Sequence, residues 1–147
     1  MATICFGLAG LLWCAPASGG QVYEGDVAAG VDSHASLRIG VAYVDGVPYT
    51  FTRIRIEGVP VICDAGSRTA RLNLRFPPPE RIPHPVISKK GRFVTVIHDF
   101  DDGSRFFLRG WIRDRVATGK LLYRDVDPEL GHCRSERSTW SLEPRSR

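Results

Sequence analysis

Gly91-Arg-Phe-Val-Thr-Val-Ile-His-Asp-Phe-Asp-Asp-Gly-Ser-Arg-Phe-Phe-Leu-Arg-Gly-Trp-Ile-Arg-Asp-Arg-Val-Ala-Thr-Gly-Lys-Leu-Leu-Tyr-Arg124 is the stretch whose reading decides the fold. β-branched and aromatic residues fill its runs, and two short polar breaks interrupt them at Asp101-Asp102-Gly103 and at Asp114-Arg115. That pattern predicts three antiparallel strands in a meander, the first two joined by a tight turn. Strict alternation puts Phe106, Leu108, Gly110 and Ile112 on one face of the middle strand, and Ala117, Gly119, Leu121 and Tyr123 on the same face of the next.

The segments on either side read as further strands added to this meander. Val22–Val27 is a short strand candidate with Tyr23, Gly25 and Val27 on one face, and residues 34–41 alternate with Ala35, Leu37, Ile39 and Val41 inward. Asp45-Gly46 is a hairpin signal. In the run from Val47 to Ile56, Tyr49 and Phe51 share one parity and Ile54 and Ile56 the other, so a bulge is expected near Thr52-Arg53. Residues 58–67 read as a turn-rich loop carrying Cys63. Thr69–Phe76 is a clean strand, with Leu72, Leu74 and Phe76 inward and Arg71, Asn73 and Arg75 outward. Residues 76–85 hold five of the ten prolines and read as a stiff crossover. Val86 and Ile87 suggest a brief strand, residues 125–131 a polar loop, and residues 136–142 a last strand with Trp140 and Leu142 inward. No internal repeat, domain boundary or long amphipathic helix is found. The expectation is an all-β antiparallel sandwich or barrel of about eight to nine short strands.

The first 20 residues contain no Asp, Glu, Lys, Arg or His, and Ile4–Ala15 form an apolar run too short for a spanning helix of about 20 residues. With the small-residue pattern Ala15-Pro16-Ala17 behind it, this reads as a secretory signal peptide over residues 1–20, leaving residues 21–147 as a single β domain without a transmembrane segment. Cys5 and Cys14 depart with the signal. Cys63 and Cys133 remain, only one pairing exists, and neither sits in a metal-binding or redox spacing. One disulfide and an oxidising, extracytoplasmic compartment follow; closing so long a loop stabilises the fold by roughly 4 kcal/mol in the chain-entropy account.

Gly110-Trp-Ile-Arg-Asp-Arg-Val-Ala-Thr-Gly-Lys-Leu121, followed by Cys133 and Trp140, resembles a G-x-I…A-x-G-x-L…C…W pattern of small secreted β-proteins of uncharacterised function from high-GC bacteria. The resemblance covers the C-terminal third. It implies a signal peptide, an all-β fold and a disulfide, and carries no activity.

Two constellations have chemical potential. Arg105, Phe107, Arg109, Trp111 and Arg113 alternate onto the outer face of the middle strand, and Lys120 and Arg124 lie on the same side of its neighbour. Guanidinium groups interleaved with aromatic rings can pair with anionic groups while rings stack on sugars. The second set is acidic: Asp99, Asp101, Asp102, Asp125, Asp127 and Glu129 fall at one end of the meander, where oxygen ligands could take Ca²⁺ or two carboxylates could serve hydrolysis.

His34, His84, His98 and His132 lack zinc-ligand spacing, and nucleophile-elbow, zincin, P-loop and dinucleotide signatures are absent. Basic residues number 20 against 16 acidic, a net +4 that argues against nucleic acid as a partner of an exported domain. The reading is a secreted, non-enzymatic binding or cell-envelope-associated module, its ligand an anionic polysaccharide or another envelope component, with no cofactor beyond possible Ca²⁺. The alternative is a metal-dependent or carboxylate-based hydrolase at the acidic end.

Expressed with its leader in an exporting host, the chain should be recovered starting close after Ala17. Its intact mass should be lighter than that of the reduced form by the two thiol hydrogens.

Overall fold

The computed structural model describes residues 19–30, 34–76, 87–98 and 103–145. Nine strands run through them: β1 (Gly20–Ala28), β2 (Ser36–Val44), β3 (Val47–Cys63), β4 (Gly66–Arg75), β5 (Arg92–His98), β6 (Arg105–Arg113), β7 (Val116–Asp127), β8 (Gly131–Arg134) and β9 (Ser138–Pro144). Every pairing between them is antiparallel. Among the described residues there is no helix, so none long and apolar enough to cross a membrane. The signal-peptide expectation over residues 1–20 lies outside the described residues except at Gly19 and Gly20, the second of which begins β1. The crossover expected over residues 76–85 lies outside them except at Phe76, and Val86 lies outside them too.

The ladder β1-β2-β3-β8-β7-β9 returns to β1 and closes a six-stranded barrel, which settles the choice between sandwich and barrel. β4 extends it beside β3, and β6 with β5 extends it beside β7. Closure depends on two strands that change partners along one edge. β3 is paired to β2 as far as Glu57 and to β8 at Ile62 and Cys63; β7 is paired to β9 from Ala117 to Leu121 and to β8 from Arg124 to Asp127.

The bends that allow this are readable residue by residue. Gly40 faces Arg53 and Val41 faces Phe51, so Thr52 is an extra residue, at the bulge the parity change predicts. Further along, Glu57 and Gly58 intervene between the pairs Ile56↔Leu72 and Val59↔Ala70, with Gly58 at φ 69°. Here the structure corrects the sequence reading, because residues 58–63 continue β3 and only Asp64-Ala65 turn. Gly58 marks a bulge, not a strand end. Pro60 is tolerated because it lies between the last β2 partner and the first β8 partner, where that edge of β3 carries no ladder. Likewise β7 runs on to Asp127 and β8 begins at Gly131, so the expected loop shrinks to residues 128–130. Ile87 is buried but lies outside any strand, its amide donating to the Tyr49 carbonyl. The last strand lies two residues later than expected, with Trp140 and Leu142 inward as read.

Cys63 and Cys133 are directly opposite on β3 and β8, with Cα atoms 4.0 Å apart and the bridge formed. The Asp64 amide donates to the His132 carbonyl beside them, which makes the cysteines a non-hydrogen-bonded pair, the closer of the two antiparallel spacings. The predicted disulfide thus locks the corner where β8 closes the barrel.

The core is continuous, and one cross-strand row organises it: Phe93 on β5, Gly110 on β6, Gly119 on β7, Trp140 on β9 and Val27 on β1. The Trp140 indole lies over both glycines and is stacked with Phe93 at a centroid distance of 6.1 Å; Phe51 meets Phe93 edge-on at 4.9 Å. A Cβ at Gly119 would stand 2.4 Å from Trp140 Cζ2 and 2.1 Å from the Arg109 carbonyl oxygen. Neither glycine serves a turn; both make room for a ring.

Gly119→Ala should therefore destabilise. Reduced unfolded-state freedom would contribute at most about 1 kcal/mol in its favour, against overpacking of about 3 kcal/mol against backbone that cannot yield. Thermal unfolding should show a fall of several degrees, whereas Gly20→Ala, whose nearest neighbour is 3.8 Å away, should melt within about a degree of the parent.

Candidate functional site

The inward and outward faces of the meander differ as the alternation requires. Phe106, Leu108, Ile112, Ala117, Leu121 and Tyr123 are buried, while Arg105, Arg109, Arg113, Lys120 and Arg124 are exposed, Trp111 is 43% exposed and Phe107 is half-buried. All seven residues of the predicted Arg/aromatic set share the outer face. Register arranges them in rows: Arg92, Trp111 and Thr118; Val94, Arg109 and Lys120; Val96, Phe107 and Leu122; Arg105, Arg124 and Arg134. Arg134 is a member that the meander alone could not reveal, because the sequence reads residues 125–131 as a loop where the structure turns β7 back into β8.

Like charges directly opposite on neighbouring strands destabilise a sheet by up to about 1 kcal/mol each. This face holds three such pairs, Arg109↔Lys120, Arg105↔Arg124 and Arg124↔Arg134. Among the described residues none of these side chains has a carboxylate within ion-pair distance. On the other side of the barrel Arg38 pairs with Glu24 at 2.7 Å, Arg55 with Glu57 at 2.6 Å and Arg145 with Glu24 at 3.6 Å, although Arg38 and Arg55, and Arg53 and Arg75, also stand opposite one another there. The hydrogen bond from Arg38 holds the Glu24 carboxyl below its ordinary range. Arg124 instead lies over the Phe107 ring, 5.9 Å from its centroid.

At the closed corner the same face dips into a groove of about 890 Å³. Arg105, Phe107, Arg124 and Arg134 line it together with Ile62 and Val126, the last two 61% and 63% exposed, and Cys63 and Cys133 border it. Ile62 and Val126 gave no functional signal in the sequence; their exposure follows from alternation opposite Cys63 and Asp125, both buried.

The acidic set is dispersed differently. Asp99, Asp101 and Asp102 lie outside the described residues. Asp125 points inward and is buried, ion-paired with Arg68 of β4, which also donates to the Tyr123 hydroxyl at 3.0 Å. Tyr123 in turn donates to Asp125 at 3.3 Å. Asp127 meets Arg68 at 3.2 Å and accepts the amides of Glu129 and Leu130, both at 2.9 Å, pinning the β7–β8 turn. Glu129 is exposed. Among the described residues no three His, Cys, Asp or Glu side chains are grouped to hold a metal ion. Arg68 therefore draws Asp125 and Asp127 into a structural link between β4 and β7.

No protein-family model, curated protein or solved structure matches this chain.

The Leu130 and Glu129 amides, with a smaller contribution from Arg68, hold the Asp127 carboxyl below its ordinary value. A carboxyl whose folded pKa is depressed adds stability above its unfolded pKa of about 4 and loses it as pH falls through the folded value. Asp127→Ala should thus unfold more easily than the parent at neutral pH, and the two denaturation midpoints should converge as the pH is lowered below about 4.

Proposed function

We propose that this protein is an exported, non-enzymatic binding module that takes an acidic polysaccharide of the cell envelope on the outer face of β5–β7. The observation that carries the reading is the cross-strand row of Arg105, Arg124 and Arg134, whose guanidinium groups have no carboxylate partner among the described residues, whereas Arg38, Arg55, Arg68 and Arg145 are ion-paired. A sheet that sets like charges side by side is less stable than one that alternates them, and a polyanion laid across the rows relieves that repulsion.

Phe107 and Trp111 supply flat apolar surface between the charges, suited to stacking on pyranose rings, and Val94 and Val96 extend it on β5. The face is open and built on strands, so a long ligand can lie along it without entering a cavity. The disulfide supports an oxidising compartment, in keeping with the leader read from residues 1–20.

Binding of the full exported chain to immobilised sulfated and uronic-acid polysaccharides tests this. Retention should weaken steeply with added salt. Arg105→Ala and Arg124→Ala should each lower affinity about tenfold, the worth of one charge-assisted hydrogen bond. Trp111→Ala should lower it to a similar extent through lost ring contact, and Arg38→Ala, on the paired side, should leave it unchanged. Undiminished retention of the Arg105→Ala/Arg124→Ala/Trp111→Ala variant would overturn the assignment. Tighter retention on a single-stranded oligonucleotide than on any polysaccharide would move it to a different polymer.

A further inference from the structure

We infer that the groove above the Cys63–Cys133 bridge is a subsite for a sulfate or phosphate monoester borne by a sugar. The inference rests on the polyanion reading of the outer face and narrows it to one group at one place. Three features single the groove out from the rest of the face.

The first is convergence. Arg105, Arg124 and Arg134 come from β6, β7 and β8, neighbours in the sheet at this corner and nowhere else, since β7 leaves β9 at Leu121 and takes up β8 at Arg124. Adjacent strands are about 4.8 Å apart, so the three side chains originate within about 10 Å and all line one concavity of about 890 Å³.

The second is uncompensated charge. Two carboxylates border the groove, and both are engaged: Asp64 accepts the His132 amide at 2.9 Å, and Asp125 is held by Arg68 from the interior. Among the described residues the three guanidinium groups have no ion-pair partner. Arg124 is positioned over Phe107, which limits its freedom before any ligand arrives.

The third is the match of donor number to ligand shape. A carboxylate offers two coplanar oxygens and is satisfied by the fork of one arginine. A sulfate or phosphate monoester offers three terminal oxygens in a tetrahedral array, which can accept from all three guanidinium groups at once. Its fourth oxygen carries the sugar carbon, and the walls beside the arginines are Ile62, Val126 and the edge of Phe107, an apolar lining suited to a ring and not to a second anion.

Titration of the full exported chain with a hexose phosphate, a hexose sulfate and a hexuronate, followed by calorimetry and by NMR shifts of the arginine side chains, tests the subsite. Both monoesters should bind, the hexuronate at least about tenfold more weakly, and the relative strength of phosphate and sulfate identifies the natural source. Arg134→Gln should lower monoester affinity about tenfold, and Arg134→Lys, which keeps the charge but loses the fork, should recover only part of it. The same Arg134→Gln variant should lose less affinity for a carboxylate-only polysaccharide than for the monoesters. Equal affinity for hexuronate and monoesters, or an Arg134→Gln variant that binds monoesters like the parent while melting like it, would overturn the subsite. If polysaccharides bind but monoesters are not preferred, the subsite falls and the face stands. If monoesters are preferred but no polysaccharide is retained, the face falls and the subsite stands.

Discussion

The seat of the Trp140 indole over Gly110 and Gly119 is the constraint on which the rest of the barrel depends. A single ring spans three strands there and reaches Phe93 on a fourth, so β5, β6, β7 and β9 are packed by one residue. Two glycines directly opposite each other would ordinarily weaken a ladder through lost side-chain contact and backbone freedom. Here the large apolar area of the indole offsets that cost, although among the described residues the buried indole N–H has no acceptor. The flat outer face of β5–β7 is the reverse side of this layer, and its regular rows follow from the regular register that the ring enforces.

Barrel closure does a different job. A six-stranded barrel needs strands that bend from one neighbour to the next, and β3 and β7 do so at bulges and at the transfer to β8. β8 is only four residues long, too short to hold two neighbours by hydrogen bonds alone. The Cys63–Cys133 bridge and the Arg68 link to Asp125 and Asp127 fasten the corner together from the inward face of the sheet. The groove is a consequence of that corner, because the bend turns the outward residues of β3, β7 and β8 toward one another.

Charge is apportioned unequally between the two sides of the molecule. Arg38, Arg55 and Arg145 are neutralised by glutamates on β1 and β3. Among the described residues the arginines of β6, β7 and β8 have no such partner; Arg124 lies over Phe107, and Arg105, Arg124 and Arg134 stand side by side in one row.

What the amino-acid sequence determined by itself is the set of properties governed by period and parity. Side chains of a strand alternate, so the inward set of the meander, the outward Arg/aromatic set, the bulge at Thr52 and the single possible disulfide were all legible in residue order. What only tertiary structure decided is which strands neighbour which. Gly58 and Pro60 look like strand breakers until a bulge and a bare edge accommodate them, and Arg134 joins Arg124 only because β7 changes partners. Asp125 looks like a loop carboxylate until Arg68, from a strand 57 residues earlier, is brought against it. Alternation is a local property of the backbone, whereas partner choice is set by the packing of the whole core. The physical reason that the groove could not be read from the sequence is that Ile62 and Cys63 of β3 reach the β6–β8 side only through closure onto β8.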